Sequence, residues 1–160
     1  MAIDVSALVS KAREQFEQVE PAEQELLIGS DLVKARFYPV TGQEWRALVV
    51  AHPPRTEVVE GRTVITPADR PFGFNADALL VDYPRVSLVD GDEETTLTVA
   101  EWADIVSVLA EPSLEAARLA VWGMNVYTPS RQFADAGKAS AGGQKKKRRS
   151  PASSASQSGS

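Results

Sequence analysis

The N-terminal residues of the chain repeat apolar side chains at the spacing of a helix. Between residues 4 and 19, charged and amide side chains fill most of the other positions, and Pro21 follows. This 3.6-residue period predicts an amphipathic helix over residues 4–19. Its apolar stripe consists of Val5, Leu8, Val9, Ala12, Phe16 and Val19.

Alternating apolar and polar residues further along predict two antiparallel hairpins. In the first, residues 25–28 and 32–38 flank the turn Gly29-Ser30-Asp31. In the second, residues 86–89 and 95–97 flank an acidic turn at residues 90–94. The sequence does not specify how the strands of one hairpin pair with those of the other.

A proline-rich stretch, residues 53–75, predicts a long loop between these hairpins. Inside it, residues 56–59 and 62–65 surround Glu60-Gly61 and permit a small protruding hairpin. Two isolated strands are only marginally stable in water. The sequence therefore permits this hairpin without requiring it.

Two segments 57 residues apart carry the same helix-start motif, Thr41-x-x-Glu44-Trp45 and Thr98-x-x-Glu101-Trp102. The Thr and Glu have capping-box spacing, which predicts one helix over residues 43–51 and another from residue 98 up to Pro112. The repeat is either a degenerate duplication or the recurrence of an effective way to anchor a helix on a sheet. Both explanations make the two tryptophans structural.

Two further helices complete the pattern. Asn75 caps a short helix over residues 76–81, and Ser113 caps a last helix from Leu114 to about Val126. Apolar side chains cover most of the circumference of the last helix, too much for one buried face. It is either the central helix of the core or partly a surface for a partner. Its apolar positions are Leu114, Ala117, Leu119, Val121, Trp122, Met124 and Val126.

These elements predict an α+β fold, mostly helical, with two small antiparallel β-hairpins against three or four helices. Residues 138–160 carry six basic side chains and no acidic one, whereas the preceding 137 residues carry 22 acidic against 11 basic ones. The rest of the basic segment is Gly, Ser, Ala, Gln and Pro, which bury too little apolar surface to order it. We predict one globular domain over residues 1–135 and a disordered basic, serine-rich tail over residues 136–160.

The composition gives little support for catalysis or for a bound cofactor. Cysteine is absent, the one histidine (His52) lies at a predicted helix end, and no phosphate-binding glycine motif occurs. The acidic turn lacks the ligand spacing of an EF-hand. We expect no enzyme activity, cofactor or metal site. No segment resembles a signal peptide or a membrane span, which predicts a cytosolic protein without a membrane partner.

A run of five basic residues lies in the tail, at Lys145, Lys146, Lys147, Arg148 and Arg149. It has three interpretations: a weak, salt-dependent tether to nucleic acid or membrane, a solubilising end without a partner, or the product of an A-rich message on which a ribosome changes frame. The run lacks interleaved aromatic residues, and the acidic body opposes polyanions. No specific nucleic-acid partner is therefore expected.

Together these features resemble the tail assembly chaperones of long-tailed phages that infect actinobacteria. The resemblance rests on the N-terminal helix, the hairpins that lead into the two Trp-bearing helices, residues 117–125 and the segment Gly142-Gly-Gln-Lys-Lys-Lys147. It covers most of the chain. It implies that a frameshift at this segment yields a longer product with the same N-terminal part. Both products would coat the tape-measure protein in the host cytoplasm and leave before the virion is complete.

Under this resemblance, the apolar last helix and the aromatic residues after it form the candidate contact surface. The candidate contact residues are Trp122, Met124, Tyr127 and Phe133, with Trp122 alternatively a core residue. The implied partners are the tape-measure protein and the longer frameshifted product, with the tail tube protein and further copies of the chain as additional candidates. The chief alternative is a small cytosolic adaptor or a DNA-associated regulator that uses the basic tail. A tail-completion protein or a head–tail connector protein, both virion components, is a further alternative.

Overall fold

The computed structural model describes residues 2–139, and within that range the chain has the predicted α+β fold. Residues up to Asn125 form one compact unit, and a second unit starts at Val126. The elements of the first unit, in chain order, are α1 (Val5–Glu17), β1 (Ala22–Ile28), β2 (Asp31–Phe37), α2 (Gly42–Ala51), β3 (Thr56–Val59), β4 (Arg62–Ile65), α3 (Ala76–Val81), β5 (Val86–Asp90), β6 (Glu93–Thr96), α4 (Val99–Val106) and α5 (Glu111–Trp122).

The two predicted hairpins are halves of a single antiparallel sheet with strand order β1-β2-β5-β6. β2 pairs with β5, with Phe37 opposite Val86 and Ala35 opposite Leu88. These pairs put apolar side chains of both hairpins on the same face of the sheet, because side chains alternate along each strand. That shared face forms one wall of the core.

The core lies between this face of the sheet and helices α3, α4 and α5. Phe37 meets Trp102 of α4 edge to face, with 5.5 Å between the ring centroids, and α5 packs against β1. The Trp102 indole N–H donates to the Leu80 carbonyl at 2.7 Å, so its buried polar atom has a partner. The largest fully buried apolar side chains are Trp102, Tyr83, Phe37, Leu26, Leu79, Leu80 and Val86.

Both predicted capping boxes are present. Thr41 and Thr98 each accept from the backbone N–H three residues on, and Glu44 and Glu101 reach back to the cap residues. The two tryptophans have the predicted structural role, since Trp102 packs on the sheet and the half-buried Trp45 packs on Phe74.

The prediction that Ser113 caps the last helix is wrong. α4 ends at Val106, before the predicted Pro112. α5 starts at Glu111, three residues before the predicted Leu114, and Pro112 lies in its first turn. Proline is tolerated there because the first backbone N–H groups of a helix have no intrahelical acceptor. The Ser113 hydroxyl instead accepts from the Leu27 backbone N–H of β1 at 3.0 Å. It thereby satisfies a donor on the outer edge of the sheet.

The hairpin that the sequence permits within residues 53–75 is formed by β3 and β4. Glu60 and Gly61 both have positive φ, 53° and 77°, as a two-residue type I′ turn requires. All four β3 residues are exposed. The hairpin therefore protrudes from the first unit.

The helical backbone does not end near Val126 as predicted. A π-helix spans Gly123–Tyr127, and α-helix continues over residues 128–139. Pro129 has no backbone N–H and donates no helical hydrogen bond, and the wider π-helical turn lies just before it. Residues 136–139 of the predicted tail are thus helical, and the remainder of that prediction, residues 140–160, lies outside the described residues.

Candidate binding surfaces

The contact residues predicted on the last helix differ in exposure. Met124 is buried, with 8% of its surface exposed, so it is not presented to a partner. Trp122 is half-buried and packs against the core, which favours the alternative that it is a core residue. Tyr127 is half-exposed and Phe133 is 84% exposed. The predicted surface therefore reduces to Tyr127 and Phe133 in the second unit.

The basic run Lys145, Lys146, Lys147, Arg148 and Arg149 lies outside the described residues.

Helix α1 carries an exposed apolar surface that its sequence pattern alone did not identify as a binding site. None of its thirteen residues is buried in the described structure, although the helix has the predicted amphipathic pattern. Val5 is 66% exposed and Leu8 58%, and Val9 and Ala12 are also exposed. We name this set, together with the half-buried Phe16, the α1 stripe. Its periodicity was visible in the sequence, but periodicity does not show whether an apolar face is covered.

The C-terminal end of α1 is held by stacked side chains. The Arg85 guanidinium lies 5.7 Å from the Phe16 ring centroid and 5.4 Å from that of Tyr38. Arg85 also donates to the Pro39 carbonyl at 2.6 Å, which fixes its position. At the other end, Asp4 caps the helix by accepting from the Ala7 N–H. The α1 stripe is therefore presented on a capped helix whose last turn is anchored.

The β3–β4 hairpin also exposes apolar side chains. Val58 is 73% exposed, and Val59 and Ile65 are exposed as well. The residues at its base are fixed by Asp69, whose carboxylate accepts from Arg55 three times: from the backbone N–H at 2.7 Å, from Nε at 3.0 Å and from Nη2 at 2.6 Å. These bonds give a marginal two-stranded element the support it needs.

The Arg55–Asp69 pair belongs to a charged cleft of about 280 Å³. Asp77 bridges Arg55 and Arg118 at 2.8 and 2.9 Å, and Arg118 continues to Glu111. The hydrogen bonds from the Arg55 side chain hold the pKa of the fully buried Asp69 below its ordinary value. Both arginines are paired with carboxylates. These ion pairs link α3 and α5 to the base of the hairpin.

The other groups considered in the sequence are His52 and the acidic turn at residues 90–94. The two ring nitrogens of His52 lie 2.7 Å from the Leu48 carbonyl and 2.6 Å from an Asp82 carboxylate oxygen, linking the end of α2 to the end of α3. Among residues 2–139, no group of three or more His, Asp or Glu side chains is placed to hold a metal ion.

No helix within residues 2–139 has both the length and the apolar character of a membrane span. Comparison of the chain with protein-family models, curated proteins and solved structures gave no match.

Proposed function

We propose that the protein is a non-enzymatic tail assembly chaperone that transiently binds the tape-measure protein of a long-tailed phage in the host cytoplasm and is absent from the mature virion. The observation that carries the proposal is the α1 stripe: a capped, anchored amphipathic helix whose apolar face has no cover in the described structure. Soluble domains rarely expose such a continuous face unless it binds something.

The chemistry of the client fits this surface. A tape-measure protein is a long helical rod whose apolar stripes would aggregate before the tail tube encloses them. An amphipathic helix covers another such stripe by packing side chains along both helices, and the interaction needs no covalent step. Because α1 offers only about five apolar side chains, each contact is weak and reversible, as a departing chaperone requires.

The position of α1 in the chain also supports the proposal. In the family that the sequence resembles, the short and long products share the N-terminal part and differ after the frameshift. α1 precedes residue 18, far from the slip segment at Gly142 to Lys147. Both products would therefore carry the same client-binding helix, whereas the residues after the slip segment would differ between them.

Co-expression with the tape-measure protein tests the function. We expect the client to be soluble when the full chain is present and to aggregate without it, and we expect purified virions to lack the chain. The variant Trp122→Ala tests the surface first predicted on the last helix. Unchanged client solubility with an intact fold would reject Trp122 as a contact residue. A client equally insoluble with and without the chain would contradict the chaperone role itself.

A further inference from the structure

The charges beside the α1 stripe carry information about its partner. Successive residues of an α-helix are rotated by about 100°, so Lys11 lies about 60° beyond Leu8 on one side, and Arg13 lies about 40° beyond Val9 on the other. Both are exposed, and neither forms a salt bridge with another residue in the range 2–139. The stripe thus has a basic side chain on each flank.

The acidic residues within α1 lie farther from the stripe, whereas the capping Asp4, which precedes α1, lies about 40° beyond Leu8 and accepts from the Ala7 N–H of the first turn. Glu14 is on the opposite face of the helix, and Glu17 is about 80° beyond Val9. The first 137 residues of the chain are strongly acidic. Lys11 and Arg13 therefore place two positive charges beside the uncovered apolar face, although most of the chain is negatively charged.

We infer that the α1 stripe docks an amphipathic helix whose own apolar stripe is flanked by acidic side chains. Apolar packing would supply the contact, and opposite charges across both margins would select the partner and its orientation. The inference deepens the proposed function, on which it rests, by naming the kind of tape-measure segment that is bound. A second α1 is a poorer occupant, since two such helices would bring basic flanks together.

The dimensions of α1 limit the docked segment. Its thirteen residues span about 20 Å, at 1.5 Å per residue. A partner helix of about four turns covers the whole stripe, and a longer one gains nothing from this surface. A long client would consequently bind many copies of the chain in succession, each through a short segment.

Binding of labelled helical peptides to the full chain, followed by fluorescence anisotropy, tests the inference. One 18-residue peptide has a leucine and isoleucine stripe flanked by glutamate. A second has the same stripe flanked by lysine, and a third has glutamate flanks with the apolar residues scrambled around the helix. We expect the first to bind at least about tenfold more tightly than either of the others at low salt, with a smaller preference over the lysine peptide at high salt.

Variants of α1 identify the surface. Leu8→Glu should weaken binding of the first peptide at least about tenfold, because it places a charge in the apolar contact. Val50→Glu is the matched control, since Val50 is also an exposed apolar residue of a helix, 73% exposed on α2; it should leave binding unchanged. Lys11→Glu combined with Arg13→Glu should reverse the preference toward the lysine-flanked peptide. Circular dichroism confirms that each variant folds.

Three results would overturn the inference: equal affinity for the glutamate and lysine peptides, an unchanged affinity in Leu8→Glu, or no peptide binding together with dimerisation that Leu8→Glu abolishes. These outcomes are separable from failure of the proposed function. If the chain solubilises the tape-measure protein and Leu8→Glu does so equally well, the function stands and the α1 site is wrong. If the acidic peptide binds through α1 but the client is not solubilised, the site stands and the chaperone role is wrong.

Discussion

Tyr83 and Asn125 form a polar junction at the margin of the core. The Asn125 side chain accepts from the Val40 N–H at 3.0 Å and donates to the Tyr83 hydroxyl at 2.9 Å. The Tyr83 hydroxyl in turn donates to the Tyr38 carbonyl. Every polar atom of this junction has a partner, and burial raises the pKa of Tyr83 to about 12.

This pKa predicts a loss of stability in alkali. An unfolded tyrosine has a pKa of about 10, so between pH 10 and 12 the unfolded chain loses a proton that the folded chain retains. The free energy of unfolding should fall through this window, and Tyr83→Phe should remove about 2 kcal/mol of that fall. Urea unfolding between pH 9 and 12 measures it, with the half-exposed Tyr127→Phe as control. Parallel curves for the wild type and Tyr83→Phe would contradict the burial of an un-ionised phenol.

The lowered pKa of Asp69 predicts that the free energy of unfolding also falls in acid. Its pKa is held below the ordinary value by the Arg55 side chain, so its contribution is present above about pH 4 and is lost as the pH falls further. Asp69→Asn should lower the free energy of unfolding by about 2 kcal/mol at pH 7 and flatten its decline below pH 4. Urea unfolding at pH 7, 5, 4 and 3 provides the measurement. Glu115→Gln, an exposed change in the same cleft, should have no such effect. Similar losses of unfolding free energy from both variants would contradict a stabilising role for the Arg55–Asp69 pair.

At the scale of elements, local chemistry predicted most helices and hairpins. The capping boxes at Thr41 and Thr98 place the starts of α2 and α4, and Glu60-Gly61 supplies the turn between β3 and β4. Pairing of β2 with β5 was not predictable, because it joins segments about 50 residues apart through a shared buried face. Ser113 was misassigned because a serine before an apolar run predicts a cap, whereas tertiary packing gives its hydroxyl to β1.

The candidate site was less predictable than the fold. An apolar stripe in the sequence predicts a face that is buried somewhere, and the last helix has more apolar positions than α1. In the structure, the last helix buries Met124 and half-buries Trp122, while α1 leaves Val5 and Leu8 exposed. Which of two apolar faces is covered depends on how many neighbours each helix finds in the fold. The sequence pattern does not contain that information.

The exposure of α1 predicts that the body folds without it. Deletion of residues 2–14 keeps the stacked Phe16 and removes the rest of the α1 stripe. Since no α1 side chain is buried, the free energy of unfolding should change by no more than about 0.5 kcal/mol. Leu26→Ala, at a fully buried position of β1, should instead cost about 3 kcal/mol. Urea unfolding compares the two; a loss of several kcal/mol on deletion would mean that α1 supports the body and is not an appendage for binding.

At the scale of the whole molecule, the division of charge separates the chaperone from the DNA-associated regulator. Residues 140–160 contain five basic side chains and no acidic one, so their removal changes the formal net charge from −5 to −10. A regulator would depend on these charges for its affinity. A chaperone that binds through the α1 stripe would not, because apolar packing is little affected by salt or by distant charges.

The two functions therefore predict different outcomes for truncation after residue 139. We expect the truncated chain to keep the tape-measure protein as soluble as the full chain does. Any retention of the full chain on immobilised duplex DNA at 50 mM salt should disappear on truncation, and five phosphate contacts would weaken by about 500-fold between 50 and 200 mM salt. The matched control keeps the length and replaces Lys145 to Arg149 with serine. A full chain that leaves the client insoluble, together with salt-sensitive DNA retention that both variants lose, would favour the regulator.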